Sequence, residues 1–490
     1  MLTQCTPTLF DFQTLGHREV VARFDGGKVT SDAGGLLLRE VEAKFGFITQ
    51  FARCFTDYRD PNAVEHTLPE LLKQRIFGLC LGYDDLNDHD QLRHDPLLAV
   101  LVGKKDPFGT DRHGRNQGKA LAGKSTLNRL ELTPVRANAD SRYKKIVAHL
   151  DTMQQYFVEM FVQQHVVPPT RVVLDVDATD FALHGHQLGR FFHGYYDEHC
   201  YLPLYIFCGD FPLVALLRPA NLDEPVGLLK HLKRIVAYLR QHWPSVQILV
   251  RGDSGFCREY LMRWCEESRV DFLFGLAKNP RLKRILGAEM HQAKTQFEAT
   301  KEPSRVFKDF TYQTNKTWSR ERRVIGKAEH LAKGENPRFV TTSLRQEAFE
   351  ARTVYEQEYC GRGNMENRIK EKKLFLFADR VSCQTMRANQ VRLCMSTVAY
   401  IVMRALRQFG LKETEMAQAQ CDTIRVKLLK IGATIQVTVR RVVLALSEAF
   451  PFQTIFERAW ENLRAIAATF SASTSAPKHP PPENPAACPS

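Results

Sequence analysis

Residues 171–180, Arg-Val-Val-Leu-Asp-Val-Asp-Ala-Thr-Asp, begin as a β-branched strand and end in acid. Asp175 and Asp177 stand two apart, so on a strand both project from the same face. Two more apolar strands follow, Cys200–Cys208 (CYLPLYIFC) and Leu213–Leu217 (LVALL), joined by short polar connections. Val226–Trp243 then repeats apolar residues at Leu228, Leu229, Leu232, Ile235, Val236 and Leu239, the stripe of an amphipathic helix. A fourth strand (Val246–Arg251, VQILVR), a helix (Cys257–Glu267) and a fifth strand (Asp271–Leu276, DFLFGL) complete the run. Three successive strands, then helix–strand–helix–strand, give a mixed-sheet α/β fold.

Around this core the chain divides by composition. Residues 1–150 read as helix-rich, with one short extended segment around Val20–Val29. Leu68–Leu81 (LPELLKQRIFGLCL) sets Leu71, Leu72, Ile76, Leu79 and Cys80 at helical spacing. The polar stretch Gly103–Gly118 reads as a loop before a short helix, Ser125–Glu131, with Ser125 as its N-cap. A helix-turn-helix-like DNA reader and a plain helical bundle both fit these residues. Residues 168–280 hold the first part of the α/β core. Residues 281–350 open with a basic helix and turn strand-like at Val306–Tyr312, Thr317–Ile325 and Arg338–Thr342, a β-rich insertion. Residues 351–410 return to helix. In residues 411–470, Thr423–Leu446 alternates around Gly432 as a hairpin with Arg425, Lys427 and Arg440 on a basic face, ahead of a last helix. The Pro/Ser/Ala-rich residues 471–490 read as a disordered tail.

Three acids stand out by position. Asp175 and Asp177 close the first strand; Asp253 closes the fourth, within Arg251-Gly252-Asp253-Ser254-Gly255-Phe256. A carboxylate at the carboxyl edge of an α/β sheet lies where such sheets hold ligands, although an acid there also caps helices. The third element is residues 359–373, YCGRGNMENRIKEKK. On a helix, Tyr359, Arg362, Glu366 and Lys373 fall within about 60° of one another. That stripe offers a phenol, a guanidinium, a carboxylate and an ammonium together, suited to a metal facing a phosphodiester. A solvated face of i,i+4 charge pairs fits the same residues. Gly361 and Gly363 weaken helicity at its front and put Tyr359 and Arg362 in the entry turn.

The Y-x2-R-x3-E-x6-K spacing, with an aspartate on a first strand and another ending a fourth, resembles the bacterial insertion-sequence transposases of the DDE superfamily. LDVDATD, VRGDSGF and YCGRGNMENRIKEKK carry the resemblance, and the opening FDGGKVTSDAGGLLLRE is similar to one branch of these enzymes. The resemblance implies an RNase H-like catalytic core with a β-rich insertion, preceded by a helical N-terminal DNA-binding domain. It implies that Asp177, Asp253 and Glu366 are the catalytic acids and hold two Mg²⁺ or Mn²⁺ ions. Asp175 is the alternative to Asp177, because strand period cannot separate them. Tyr359, Arg362, Lys373 and Lys370 are the implied DNA contacts. The implied substrate is double-stranded DNA, the terminal inverted repeats of an element and a target. A homodimer is implied because two ends must be held together.

Electrostatics agrees with this. Clustered carboxylates raise one another's pKa unless cations fill the site. Oxygen ligands suit hard ions such as Mg²⁺, and two ions about 4 Å apart serve an in-line displacement.

The 490 residues carry 68 Lys+Arg against 55 Asp+Glu, a net charge of +13 that favours a polyanionic partner. A hydrophobic fraction of 44% excludes a disordered or fibrous chain. No apolar run approaches a membrane span, and no export segment opens the chain, so a cytoplasmic, nucleoid-associated protein is expected. Twelve cysteines form no C-x-x-C pair, against a zinc ribbon or disulfide scaffold. His184, His186, His193 and His199 match no zinc spacing and read as surface or turn residues. Trp318 is a buried strand residue or a base-stacking one. Gly118–Ser125 (GKALAGKS) matches G-x4-G-K-S, but the preceding DPFGTDRHGRNQ cannot form the strand a P-loop needs. Two further readings share most features: a DNA-binding protein without catalysis, and an RNase H-like nuclease without strand transfer.

Overall fold

The computed structural model describes residues 8–466, so the tail expected at 471–490 lies outside the described residues. Its longer N-terminal helices are α1 (Leu36–Phe45), α2 (Leu68–Leu81), α3 (Lys124–Leu132) and α4 (Leu150–Gln163). A capping box opens α2: the Glu70 carboxylate accepts from the Thr67 amide at 2.9 Å. Gly82, at φ 100°, closes it in the left-handed region that a Cβ disfavours. α3 differs from the sequence expectation at its start, because Gly123 rather than Ser125 is the N-cap. The early extended segment is a hairpin, Phe10–Leu15 with Arg18–Ala22, exposed throughout.

The central sheet is built on β1 (Arg171–Ala178), β2 (Leu204–Cys208), β3 (Phe211–Leu216), β4 (Gln247–Gly252) and β5 (Asp271–Leu276). Their spatial order is 3-2-1-4-5. β2 runs antiparallel to β1 and β3, while β1, β4 and β5 are parallel. This is the mixed sheet of an RNase H-like core. The single strand expected over Cys200–Cys208 is two, Glu198–Tyr201 and β2; Pro203 falls in the break between them, as expected of a residue without an amide donor. Glu198–Tyr201 instead joins Phe181–Ala182 and Phe191–His193 in a small separate sheet.

The crossover helices are α5 (Leu228–His242) and α6 (Glu259–Glu267); α7 (Gly287–Thr300) then leads into β6 (Ser304–Tyr312), β7 (Arg322–Leu331) and β8 (Arg338–Thr342). These later strands do not stand apart. β8 pairs antiparallel with β5, and β7 and β6 follow, so one nine-stranded sheet runs through core and insertion. Trp318 sits before β7 with its ring 5.8 Å from that of Tyr312 and only 7% exposed, so it offers no face to a base.

A helical run beginning at Ala351, ahead of Tyr359, passes through a π-helical turn (Val354–Tyr359) and a 3-10 turn (Cys360–Arg362) into α8 (Gly363–Phe375). Tyr359 and Arg362 therefore lie inside the helix, not in its entry turn. α9 (Met386–Ala405) is buried on almost every side, packed against α2 and β3. Each large apolar side chain it hides contributes about 1.5–3 kcal/mol. The N-terminal helices thus share one hydrophobic core with the sheet.

The hairpin expected over Thr423–Leu446 forms only in its second half, β9 (Ala433–Val437) with β10 (Val442–Leu446). Cys421–Leu429 is helical, because Cys421, Ile424 and Leu428 bury at helical spacing while Val426 is exposed. Arg425 consequently leaves the expected basic face. Its guanidinium donates to the carbonyls of Cys80 and Phe375, tying together the ends of α2 and α8. α10 (Gln453–Ala465) closes the described chain. No helix among the described residues is long and apolar enough to cross a membrane.

Candidate active site

Parallel pairing of β1 with β4 brings two acids to the same edge. Asp177 lies at the carboxyl end of β1, and Asp253 directly follows β4. Asp253 caps the next turn, its Oδ1 accepting from the Gly255 amide at 2.9 Å. Glu366 sits in the first turn of α8. All three carboxylates meet one cation. Arg362 lies 2.9 Å from Glu366, 3.5 Å from Asp177 and 3.9 Å from Asp253.

Burial sorts the three acids. The Asp177 side chain is 14% exposed, that of Asp253 36% and that of Glu366 55%. Burial lifts the Asp177 carboxyl to about 7; Arg362 pulls against this, and Asp253 and Glu366 add to it. Burial alone would lower the Arg362 guanidinium, but Asp177, Glu366 and Asp253 outweigh it and hold the charge.

Asp175 has a different environment. It lies opposite Arg251 in the β1–β4 register, and the two form a buried bidentate pair, with Nη2 to Oδ2 at 2.8 Å. Arg251 also donates to the carbonyl of Glu358. Through Arg251, Asp175 thus anchors the π-helical segment to the sheet, and its two oxygens are taken up by Arg251 rather than by Arg362.

The remaining stripe residues separate. Tyr359 is half-buried, its hydroxyl packed against Gly275 of β5, and burial raises its pKa. The Lys373 ammonium donates to the Asp180 carbonyl at 2.9 Å, three residues beyond Asp177. Lys370 is exposed. Glu224, on the loop after β3, is a further acid beside the cluster. A Cβ on Gly255 would fall 1.5 Å from its Oε2, and burial together with Asp253 raises its pKa. No spacing in the sequence announces Glu224, Arg251 or Gly275, because each reaches the site through sheet register or loop closure.

The donor set is oxygen only, three carboxylates around one positive charge, and this chemistry fits a hard divalent cation. As the side chains stand, the guanidinium holds the centre. Among the described residues no three His, Cys, Asp or Glu groups enclose a single ion.

Residues 12–468 match the family described as "Transposase DDE domain group 1". The chain belongs to this family. It is a DDE transposase, an enzyme of DNA cleavage and strand transfer, and divalent metal ions serve that family. A search of curated proteins finds no match. Among solved structures, a piggyBac transposase synaptic complex with hairpin DNA, determined by cryo-EM, is similar over 91% of this chain and 87% of that one, at 10% identity and a TM-score of 0.40.

Proposed function

We propose that this transposase cuts DNA at the terminal inverted repeats of its element and joins the freed ends to a target, using Asp177, Asp253 and Glu366. The observation that supports this reading is the convergence of those three carboxylates on Arg362 at the carboxyl edge of β1 and β4. Asp177 is preferred to Asp175, whose oxygens are committed to Arg251. The three acids would hold two Mg²⁺ or Mn²⁺ ions. Such ions, when bound, activate an attacking water or 3′-hydroxyl and stabilise the leaving oxygen.

The chain's own groups do the rest. Burial of Asp177 fixes its carboxylate at the strand end, and the Gly255 amide fixes that of Asp253. Arg362 is poised to exchange its carboxylates for a phosphate, which a guanidinium grips through two donors. Tyr359, Lys370 and Lys373 would supply backbone contacts near the cut. The enzyme acts on cytoplasmic, nucleoid DNA, with two copies holding the two ends.

The experiment is incubation of purified protein and Mg²⁺ with a linear duplex bearing the element's ends, with products mapped to the nucleotide. Asp253→Ala and Glu366→Ala should abolish cutting while retaining end binding. Full activity in either variant overturns the assignment.

A further inference from the structure

We infer that a basic cleft in the N-terminal helical region, built around Gly118–Ser125, is a seat for the phosphates of duplex DNA at a distance in sequence from the acids. The inference rests on the reading that this enzyme acts on DNA. The cleft, about 560 Å³, is lined by Arg93, Arg115, Lys119, Arg129, Arg142 and Lys145. None of these six has a carboxylate within 4.0 Å among the described residues. The acids that share the cleft are already committed. Glu65 pairs with Arg112 at 2.7 Å, Asp90 with Lys124 at 3.3 Å, and Asp60 accepts from the Asn62 amide at 2.9 Å. The remaining field is positive and suits an anion.

Two further features favour phosphate. α3 begins at the cleft, with Ser125 and Thr126 of its first turn lining the wall, while the Asp90 carboxylate already accepts from its Lys124 amide at 3.0 Å. The Ser125 and Thr126 hydroxyls add donors of the kind that hold DNA phosphates to the surrounding cations. Arg142 also lies 4.8 Å over the ring of exposed Tyr143, a cation and an aromatic face presented together.

The same residues spell a mononucleotide-binding loop, yet the geometry speaks against a nucleotide. Lys124, the residue that would grip its phosphates, turns away and donates to Asn87 at 2.9 Å. A 3-10 turn, Gly114–Asn116, precedes Gly118 in place of a strand. The cations come from segments spread between Arg93 and Lys145, as a long polyanion rather than a single phosphate chain requires.

The test uses the full-length protein and a fluorescein-labelled duplex bearing the element's end, titrated by anisotropy between about 50 and 200 mM salt. Arg115→Ala with Arg142→Ala, both exposed, should weaken binding at least tenfold. The slope of log K against log salt should become shallower by about 1.8, two contacts at about 0.9 each. Arg115→Lys with Arg142→Lys should recover most of the loss, and Lys124→Ala should bind like the wild type. A double alanine variant with unchanged affinity and slope, in a background where the wild type binds steeply with salt, overturns the cleft alone. A wild type that binds no DNA fails the functional reading instead. ATP binding abolished by Lys124→Ala overturns the inference in favour of a nucleotide loop.

Discussion

Arg362 meets Glu366 one helical turn away at 2.9 Å, and through that contact its guanidinium stands among all three clustered carboxylates. Without such a cation the three acids would repel one another and take up protons. Arg362 therefore does for the free protein what divalent ions would do for the loaded one. On the proposed metal site it would also occupy the space those ions need.

Competition follows from that overlap. Arg362→Ala should bind Mn²⁺ more tightly than the wild type in the absence of DNA, by about tenfold, or ~1.4 kcal/mol. Electron paramagnetic resonance of free Mn²⁺ reads this directly. Cleavage should nevertheless slow, because the guanidinium is also the group poised for phosphate. Equal or weaker Mn²⁺ affinity in the variant would show that Arg362 does not contest the site.

Asp175 and Asp177 should separate by what their loss damages. Arg251→Ala leaves the Asp175 carboxylate buried without its partner, which costs about 3–5 kcal/mol. Asp175→Asn should likewise lower the melting temperature. Asp177→Asn removes a charge that burial already disfavours, so its melt should stay near that of the wild type while cleavage is lost. Thermal melts beside a cleavage assay decide the matter; the reverse pattern would return Asp175 to the site.

Gly275 controls how closely β5 approaches the cluster. A Cβ there would fall 2.7 Å from the Tyr359 hydroxyl, 2.8 Å from the Ser254 amide nitrogen and 3.1 Å from the Asp253 carbonyl carbon. Gly275→Ala must push the Asp253 turn outward. A displacement near 1 Å at a reacting group costs about 10²-fold in rate. Single-turnover cleavage should fall by that order while end binding persists, and an unaltered rate would mean that the turn has slack.

These cases mark how far the sequence reaches. The five core strands and Leu68–Leu81 were legible because their apolar periodicities are strong and local. The pairing that favours Asp177 over Asp175 was not, since it depends on Arg251 lying opposite Asp175 in the register of two strands far apart in sequence, with other strands and a helix between them. Residues 424–428 deceived for a physical reason. A short stretch with Ile424, Val426 and Leu428 satisfies strand period, yet helical burial of Cys421, Ile424 and Leu428 won. Arg425 then turned inward to cap helix ends, whereas the burial of Trp318 against Tyr312 was one of the two readings its sequence offered.

Lys372 supplies a pH-dependent prediction remote from the acids. Fully buried in α8, its ammonium donates to Thr397 at 2.9 Å and lies 4.6 Å over the Tyr205 ring, with no carboxylate within ion-pair distance among the described residues. Burial lowers its pKa to about 7, against about 10.4 in an unfolded chain. Below pH 7 both states hold the proton and the folded state bears the full penalty of a buried charge. Between the two values the unfolded state binds the extra proton, so stability rises with pH by up to about 1.4 kcal/mol per unit. Lys372→Met removes the charge and keeps the stem's volume. The variant should be more stable than the wild type at pH 6, with the difference shrinking steadily toward pH 10. Denaturant melts of the two proteins across that range check it. A constant difference, or a variant less stable at pH 6, would mean that the Thr397 and aromatic contacts outweigh the cost of burying the ammonium.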